Sequence, residues 1–268
     1  MFMEAVYYVT QIIASLAVIA GTIIALIQYI FNSKQAEASR KRELELHELE
    51  VKELEKDRIQ KAIDLSEYFK DHILYYMNML KYVYDKAGVS DILNDIPRSN
   101  IAHFDTPEME RNISASNRDF LQTVRFEPKF KDALAFASTV SGFWPECREV
   151  YIDKDGDWVK SQVLIKESEL TYRFGIMLQD LLNNLEYFAM AFTHETADAS
   201  VIYQSIHRSY IKVVELLYYD ISLNNQPGQS KLFTNVIELY TMWKNESESQ
   251  VEEELSNSRN NIRKGNTL

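Results

Sequence analysis

The sequence contains few of the residues that break helices. It has seven glycines and five prolines among 268 residues, and turn-rich β architectures need more of both. Tyrosine, with 16 copies, provides large side chains for a substantial core. We therefore predict an all-α fold with a well-packed helical body.

Cysteine and an excess of positive charge are also missing. Cys147 is the only cysteine, which excludes an intrachain disulfide and a thiolate metal cluster and fits a reducing cytosol. The net charge of −11 makes nucleic acid an unfavoured partner, because phosphate binding needs a concentrated basic surface. The sequence also lacks a P-loop, a GxSxG motif and a dinucleotide-binding glycine motif, so it predicts neither an enzyme class nor a cofactor.

The N-terminus, by contrast, has a long apolar run. Residues 6–31 include no charged side chain, and about 20 helical residues are enough to cross the hydrocarbon core of a bilayer. We predict a single transmembrane anchor at residues 1–32. Basic residues, Lys34 and Arg40 among them, follow the run, whereas Glu4 precedes it. The positive-inside rule therefore places the N-terminus outside and the C-terminal body in the cytosol.

Small and weakly polar residues form one face of this predicted helix. They recur at steps of three and four residues and are Thr10, Ala14, Ala17, Gly21, Ala25 and Gln28. The ridge of Ala17, Gly21 and Ala25 is of the kind that lets helix backbones approach closely in lipid. We predict that this face mediates self-association into a homo-oligomer. The alternatives are ordinary membrane-helix composition and a stripe that lines a pore within a ring of subunits.

Three segments follow the anchor. Residues 33–59 are rich in Glu, Leu, Lys and Arg and contain no Gly or Pro, so we predict a charged stalk helix, either solvated alone or in a short coiled coil. Residues 60–245 have helical periodicity, and we predict that they form a cytosolic helical domain. Within this domain we predict a loop over residues 91–106 and a helix that starts with Thr106 as its N-cap. Residues 246–268 are rich in Ser, Asn and Glu and are predicted to be disordered.

Two short motifs match known sites incompletely. The acidic run at residues 153–157 copies the start of an EF-hand calcium loop, but Trp158 and Leu164 stand where that loop requires glycine and glutamate. An acidic turn is the favoured interpretation. Arg98 and His103 have the R-x4-H spacing of the helical nucleases called HEPN domains. Because the spacing falls in the predicted loop rather than on a helix, a HEPN-like RNase is the lesser alternative.

Two C-terminal helices resemble a known family. The matching residues are Leu182, Asn183, Glu186 and Tyr187 in one helix and Tyr240 and Trp243 in a later one. The first helix resembles the LLNxxEYxA helix of a bacterial and phage family known as domain of unknown function 4760, and the second is similar to its closing aromatic helix. The family has no established catalytic residues, so the resemblance implies only a layout of membrane helix, charged helix and helical body at the bacterial inner membrane. Apolar residues from Leu182 to Phe192 recur at steps of three and four, so these motif positions favour packing over ligand binding.

The layout is also similar to that of the membrane accessory proteins of Cas13b CRISPR systems, which implies an oligomeric, pore-like antiviral effector. Three functions stay open. The first is a self-associating single-pass membrane protein whose cytosolic domain binds a protein partner, with a pore-type antiviral effector as its most specific form. The second is a membrane-tethered, non-enzymatic scaffold or regulatory subunit, and the third is the HEPN-like RNase.

Overall fold

The structure is a computed structural model that describes the backbone of residues 2–140, 142, 144, 148–152, 158–163 and 166–265. It describes the side chains of residues 21–139, 142, 144, 166, 168–254 and 256. The chain divides into two compact units, Met1–Asp57 and Arg58–Leu268.

The first unit is helical, and its described side chains are exposed. Helix α1 spans Phe2–Phe69, and every described residue from 21 to 57 is exposed. Lys52 and Glu48 form an ion pair of 2.7 Å one turn apart, as expected on a solvated helix face. Among the side chains that the structure describes, no helix has an apolar stretch long enough to cross a membrane. Residues 6–20 of the predicted span lie outside that part of the chain.

The second unit is a helical domain, as predicted. After α1 and a short π-helical segment at Lys70–Leu74, its helices are α2 (Tyr75–Ala87), α3 (Val89–Asn94), α4 (Thr106–Asn112), α5 (Ala115–Thr123), α6 (Pro128–Val140), α7 (Glu167–Thr193), α8 (Ala199–Leu216), α9 (Tyr218–Asn224) and α10 (Thr234–Gly265). Two 3-10 turns lie at Arg98–Asn100 and Val124–Phe126. The domain thus has the helical content that the scarcity of Gly and Pro predicts.

Trp243 on α10 lies at the centre of the core formed by α7, α8 and α10. Its side chain is 1% exposed, and its ring centroid lies 5.0 Å from that of Tyr210, 6.0 Å from that of Phe192 and 6.3 Å from that of Phe188. Aromatic pairs at these separations stabilise a core beyond the burial of their area alone. Aromatic residues of α7 and α10, the two helices that carry the family resemblance, therefore pack against one another.

A buried polar cluster connects α2, α9 and the second 3-10 turn. The Arg125 guanidinium forms an ion pair with the Asp220 carboxylate, and the Tyr84 hydroxyl donates to the other Asp220 oxygen at 3.1 Å. Burial, together with the negative charge of Asp220, raises the pKa of Tyr84 well above its ordinary value. Because each charged or polar group here has a partner, the cluster satisfies groups that would otherwise be costly to bury.

Local signals explain several helix boundaries. Gly88 ends α2 with φ of 80°, a left-handed conformation in which its N–H donates to the Tyr84 carbonyl. Asp105, not the predicted Thr106, is the N-cap of α4, since its side chain accepts from the N–H of Glu108 at 2.9 Å. Pro128 begins α6 as its sequence position indicates.

Three features of the fold differ from the sequence prediction. Strands β1 (Arg148–Ile152) and β2 (Trp158–Val163) form an antiparallel hairpin between α6 and α7, with Arg148 opposite Val163. The predicted loop over residues 91–106 contains the C-terminal part of α3 and a 3-10 turn. The predicted disordered tail is helical as far as Gly265. The tail has no Pro, and no Gly before 265, so its charged sequence continues the helix although its described side chains are mostly exposed.

Candidate functional site

A cleft of about 570 Å³ opens between α2, α3, the segment 96–101 and α8. We call it the Arg98 cleft. Its apolar residues are Met77, Leu93, Ile96, Pro97, Ile101 and Leu216. Most of these side chains are buried, so they form an apolar floor beneath a polar rim. The volume lies within the range of about 300–1,000 Å³ that is typical of small-molecule sites.

Arg98 lies on the rim and is held by a carboxylate on α8. Its Nε donates to Oε1 of Glu215 at 2.5 Å, and its Nη2 donates to Oε2 at 3.0 Å. This paired geometry is the strong, directional form of the arginine–carboxylate contact. The hydrogen bond to Glu215 raises the pKa of Arg98 above its ordinary value. Arg98 is therefore a fixed positive group whose charge is largely balanced by Glu215.

Helix α10 supports this ion pair from behind. The Tyr240 hydroxyl donates to Oε1 of Glu215 at 3.2 Å, and burial with the adjacent negative charge raises the pKa of Tyr240. The Lys244 ammonium donates to the carbonyls of Arg98 and Ile101 at 2.8 and 3.0 Å. The wall of the cleft is thus anchored through both its side chains and its backbone.

A second ion pair lies on the α2 side of the rim. Lys81 contacts Asp85 at 2.5 Å, and the Ser90 hydroxyl also donates to Asp85. Burial opposes ionisation of Asp85, but the hydrogen bonds from Lys81 and Ser90 outweigh it and lower the pKa of Asp85. Asp85 is therefore a carboxylate at neutral pH and balances Lys81.

Lys212 on α8 completes the rim and differs from the other cations. Within the described part of the chain, its ammonium has neither an ion-pair nor a hydrogen-bond partner. The cleft contains three cationic side chains and two carboxylates. Its formal charge is therefore +1 in a chain whose net charge is −11, and the surplus lies at Lys212.

The predicted nuclease pair does not form one site. Arg98 faces Glu215, whereas the side chain of His103 is exposed. The backbone N–H of His103 donates to the buried carboxylate of Glu108 at 2.6 Å. Glu108 also accepts from the N–H groups of Ala102 and Phe104. The segment carrying His103 is thus shaped by Glu108, and nothing in the described contacts aims the imidazole at Arg98.

Glu186 of the family motif has a structural contact at the start of α10. Its carboxylate accepts from the side-chain amide of Asn235 at 2.7 Å and from the N–H of Val236 at 3.0 Å. Negative charge at a helix N-terminus stabilises the unsatisfied N–H groups and the helix dipole. Glu186 therefore joins α7 to α10.

The other motif residues are distributed between core and surface. Leu182 is buried with Tyr240 and Trp243. Asn183 lies on the surface and accepts from the Gln179 amide at 3.1 Å. Tyr187 is 51% exposed. The structure thus brings Glu186, Tyr240 and Trp243 to the contact of α7, α8 and α10. Among the motif residues, only Tyr240 forms a hydrogen bond to a residue of the Arg98 cleft, which is Glu215.

The predicted membrane face is only partly described. The side chains of Thr10, Ala14 and Ala17 lie outside the described residues, whereas Gly21, Ala25 and Gln28 are exposed. A Cβ placed on Gly21 would meet no atom within 4 Å in the chain itself. The acidic run at residues 153–157 also lies outside the described residues. Among the residues that the structure describes, no group of three or more His, Cys, Asp or Glu has metal-binding geometry.

Sequence reasoning missed the cleft residues Lys81, Asp85, Lys212 and Glu215. A signal existed on α8, where Lys212 and Glu215 interrupt a run that is otherwise strongly apolar. Charged side chains in such a run need a partner or a cavity. Comparison with protein-family models, with curated proteins and with solved structures finds no match to this chain.

Proposed function

We propose that this chain is a non-enzymatic, self-associating single-pass membrane protein whose helical domain, residues 58–268, binds a partner in the cytosol. The observation that carries the proposal is the exposure of apolar side chains in the described part of the predicted span. Leu26 is 60% exposed, Ile27 is 60% exposed and Phe31 is 67% exposed. Contiguous apolar surface of this kind is favourable only against lipid or another chain.

The sequence supports lipid as the principal environment. The exposed residues belong to the uncharged run of residues 6–31, which has the length of a membrane span. The ridge of Ala17, Gly21 and Ala25 favours contact with another copy within the bilayer. Lipid and self-association together account for both the length of the run and the small residues within it.

The helical domain has the properties of a binding module. It provides a cleft of ligand size with an apolar floor and fixed charges. Arg98 is paired with Glu215 and is not free to bind a phosphate, which weighs against the RNase alternative. In its most specific form the proposal is an antiviral membrane effector of pore type, and that form rests on the layout resemblance alone. A membrane-tethered scaffold would self-associate and bind a partner in the same way but would not change the permeability of the membrane.

Topology and membrane association test the proposal directly. A reporter that is active only in the periplasm, fused after Lys244, should be silent, and a reporter active in the cytosol should be active at the same position. The full chain should sediment with membranes and resist extraction by carbonate. An active periplasmic reporter would reverse the orientation, and a chain found only in the soluble fraction would overturn the membrane proposal.

A further inference from the structure

The charges around the Arg98 cleft indicate what it binds. Two of its three cations have a carboxylate partner within the cleft, Lys81 with Asp85 and Arg98 with Glu215. The Lys212 ammonium has none among the described residues. A ligand with one negative group compensates this charge, whereas a cationic ligand adds to it.

The floor of the cleft defines the rest of the ligand. Beneath the rim lie Leu93, Ile96 and Ile101, which are 7%, 8% and 3% exposed. An apolar or aromatic body resting there removes the remaining apolar surface of the floor from water, which favours binding. A wholly polar anion would leave this floor uncovered.

The number of charges distinguishes a carboxylate from a phosphate. The cleft has a surplus of one positive charge, and a phosphomonoester carries about −1.5 to −2 at neutral pH. A carboxylate matches the surplus without leaving negative charge near Glu215 and Asp85. Its partner is a point-like ammonium, which accepts a carboxylate from a range of directions.

We propose that the Arg98 cleft binds a small amphiphilic carboxylate, a molecule with an apolar or aromatic body and one carboxylate that pairs with Lys212. This inference rests on the proposed role of the helical domain as a binding module. The fixed Arg98–Glu215 pair and the Lys244 contacts to the segment 98–101 hold the cleft open before the ligand arrives. A preformed site lowers the cost of ordering on binding.

Three molecules with the same ring test the head group: indole-3-acetate is an anion, tryptophol is neutral and tryptamine is a cation. Binding to the full-length chain in mild nonionic detergent is measured by calorimetry. The wild-type chain should bind indole-3-acetate about tenfold more tightly than tryptamine, with tryptophol between them, and added salt should reduce the ratio. Equal affinities for the three, or no measurable binding of indole-3-acetate, would overturn the proposal.

Two variants locate the site. Lys212→Glu should invert the order, so that tryptamine binds more tightly than indole-3-acetate. Lys231→Glu, a matched change at an exposed lysine outside the cleft, should keep the wild-type order. Asn94→Trp places an indole at the rim of the cleft and should weaken all three ligands. An unchanged order in Lys212→Glu would place the binding elsewhere and refute the assignment.

The outcome is separable from that of the proposed function. Membrane sedimentation and reporter topology require no ligand, so they succeed or fail independently of the calorimetry. A membrane-bound chain that binds none of the indoles would remove the ligand class and leave the membrane proposal intact. A soluble chain that binds indole-3-acetate through Lys212 would do the reverse.

Discussion

The two units of this chain use apolar residues in opposite ways. In the described part of the first unit, Ile23, Leu44 and Leu54 are 53%, 70% and 64% exposed. In the second unit, side chains of the same kind, such as Leu181 and Leu185, are fully buried. Both units are helical, so the difference lies in what covers the helices rather than in how they form.

Because of this difference, substitutions in the two units should have different effects. Buried residues of the second unit pack against other parts of the chain, so their replacement should lower the free energy of unfolding. The described residues at positions 21–57 are exposed, so replacement there should leave that free energy unchanged. Their effects should appear in assembly or in membrane association. Substitutions in each unit therefore test this division.

Removal of the Asp220 carboxylate should have the largest effect. Asp220→Ala leaves the Arg125 guanidinium and the Tyr84 hydroxyl without their buried acceptor. Loss of one member of such a pair should lower the free energy of unfolding by about 3 kcal/mol or more. Urea unfolding of the full chain in detergent, followed by tryptophan fluorescence, measures it.

The matched control is Asp119→Ala, which removes an exposed carboxylate from α5. It should change the free energy of unfolding by less than about 0.5 kcal/mol. Equal effects of the two variants would show that the ion pair at Asp220 contributes no more than a surface charge.

Glu186 should have a smaller effect, because it caps a helix rather than pairing with a buried charge. Glu186→Ala removes the acceptor for Asn235 and Val236 at the start of α10. The expected loss is about 1–2 kcal/mol in the same unfolding measurement. Glu186→Gln keeps one acceptor oxygen and should retain part of that stability. If alanine and glutamine were both silent, α10 would not depend on this contact.

The end of α10 should matter least among changes in the second unit. Residues after Asn245 are helical as far as Gly265, but their described side chains are mostly exposed. A chain that ends at Asn245 should therefore unfold within about 0.5 kcal/mol of the full chain. A chain that ends at Glu238 lacks Tyr240 and Trp243 and should not fold cooperatively. Marked destabilisation by the shorter deletion would reveal a structural role for the tail helix.

The sequence predicts the helical class, and local signals account for some of the helix boundaries. Gly88 and Pro128 mark helix ends through their own backbone preferences. The hairpin at residues 148–163 was missed because its strands are short, and a pair of strands needs long-range contacts that local propensity does not report. The helical tail was missed because a polar sequence suits both a solvated helix and a disordered segment.

The Arg98 cleft was less predictable than the fold. The sequence draws attention to Arg98 only through the R-x4-H spacing with His103, which is common by chance. The partner of Arg98 in the structure is Glu215, 117 residues away. Lys81 and Lys212 come from different helices, and only the tertiary packing brings them to one rim. Periodicity shows which face of a helix is buried, but it does not show which charged residues meet across a cavity.

Gly21→Ile should leave the stability of the second unit unchanged and alter only assembly. Within the chain, a Cβ at Gly21 meets no atom within 4 Å, so the chain's own fold does not oppose the added side chain. If Ala17, Gly21 and Ala25 pack against another copy, isoleucine at the middle position holds the two backbones apart. Isoleucine remains favourable in lipid, so membrane insertion should persist. We therefore expect a lower oligomeric state in nanodiscs by mass photometry, with a wild-type unfolding curve and membrane fraction.

Ile23→Leu, which lies off the ridge, should assemble like the wild type. In a pore-type effector the Gly21→Ile variant should also lose membrane depolarisation, whereas a scaffold has no such activity to lose. The same oligomer in wild type and Gly21→Ile would mean that the small residues are ordinary membrane composition, and the self-association proposal would lose its support.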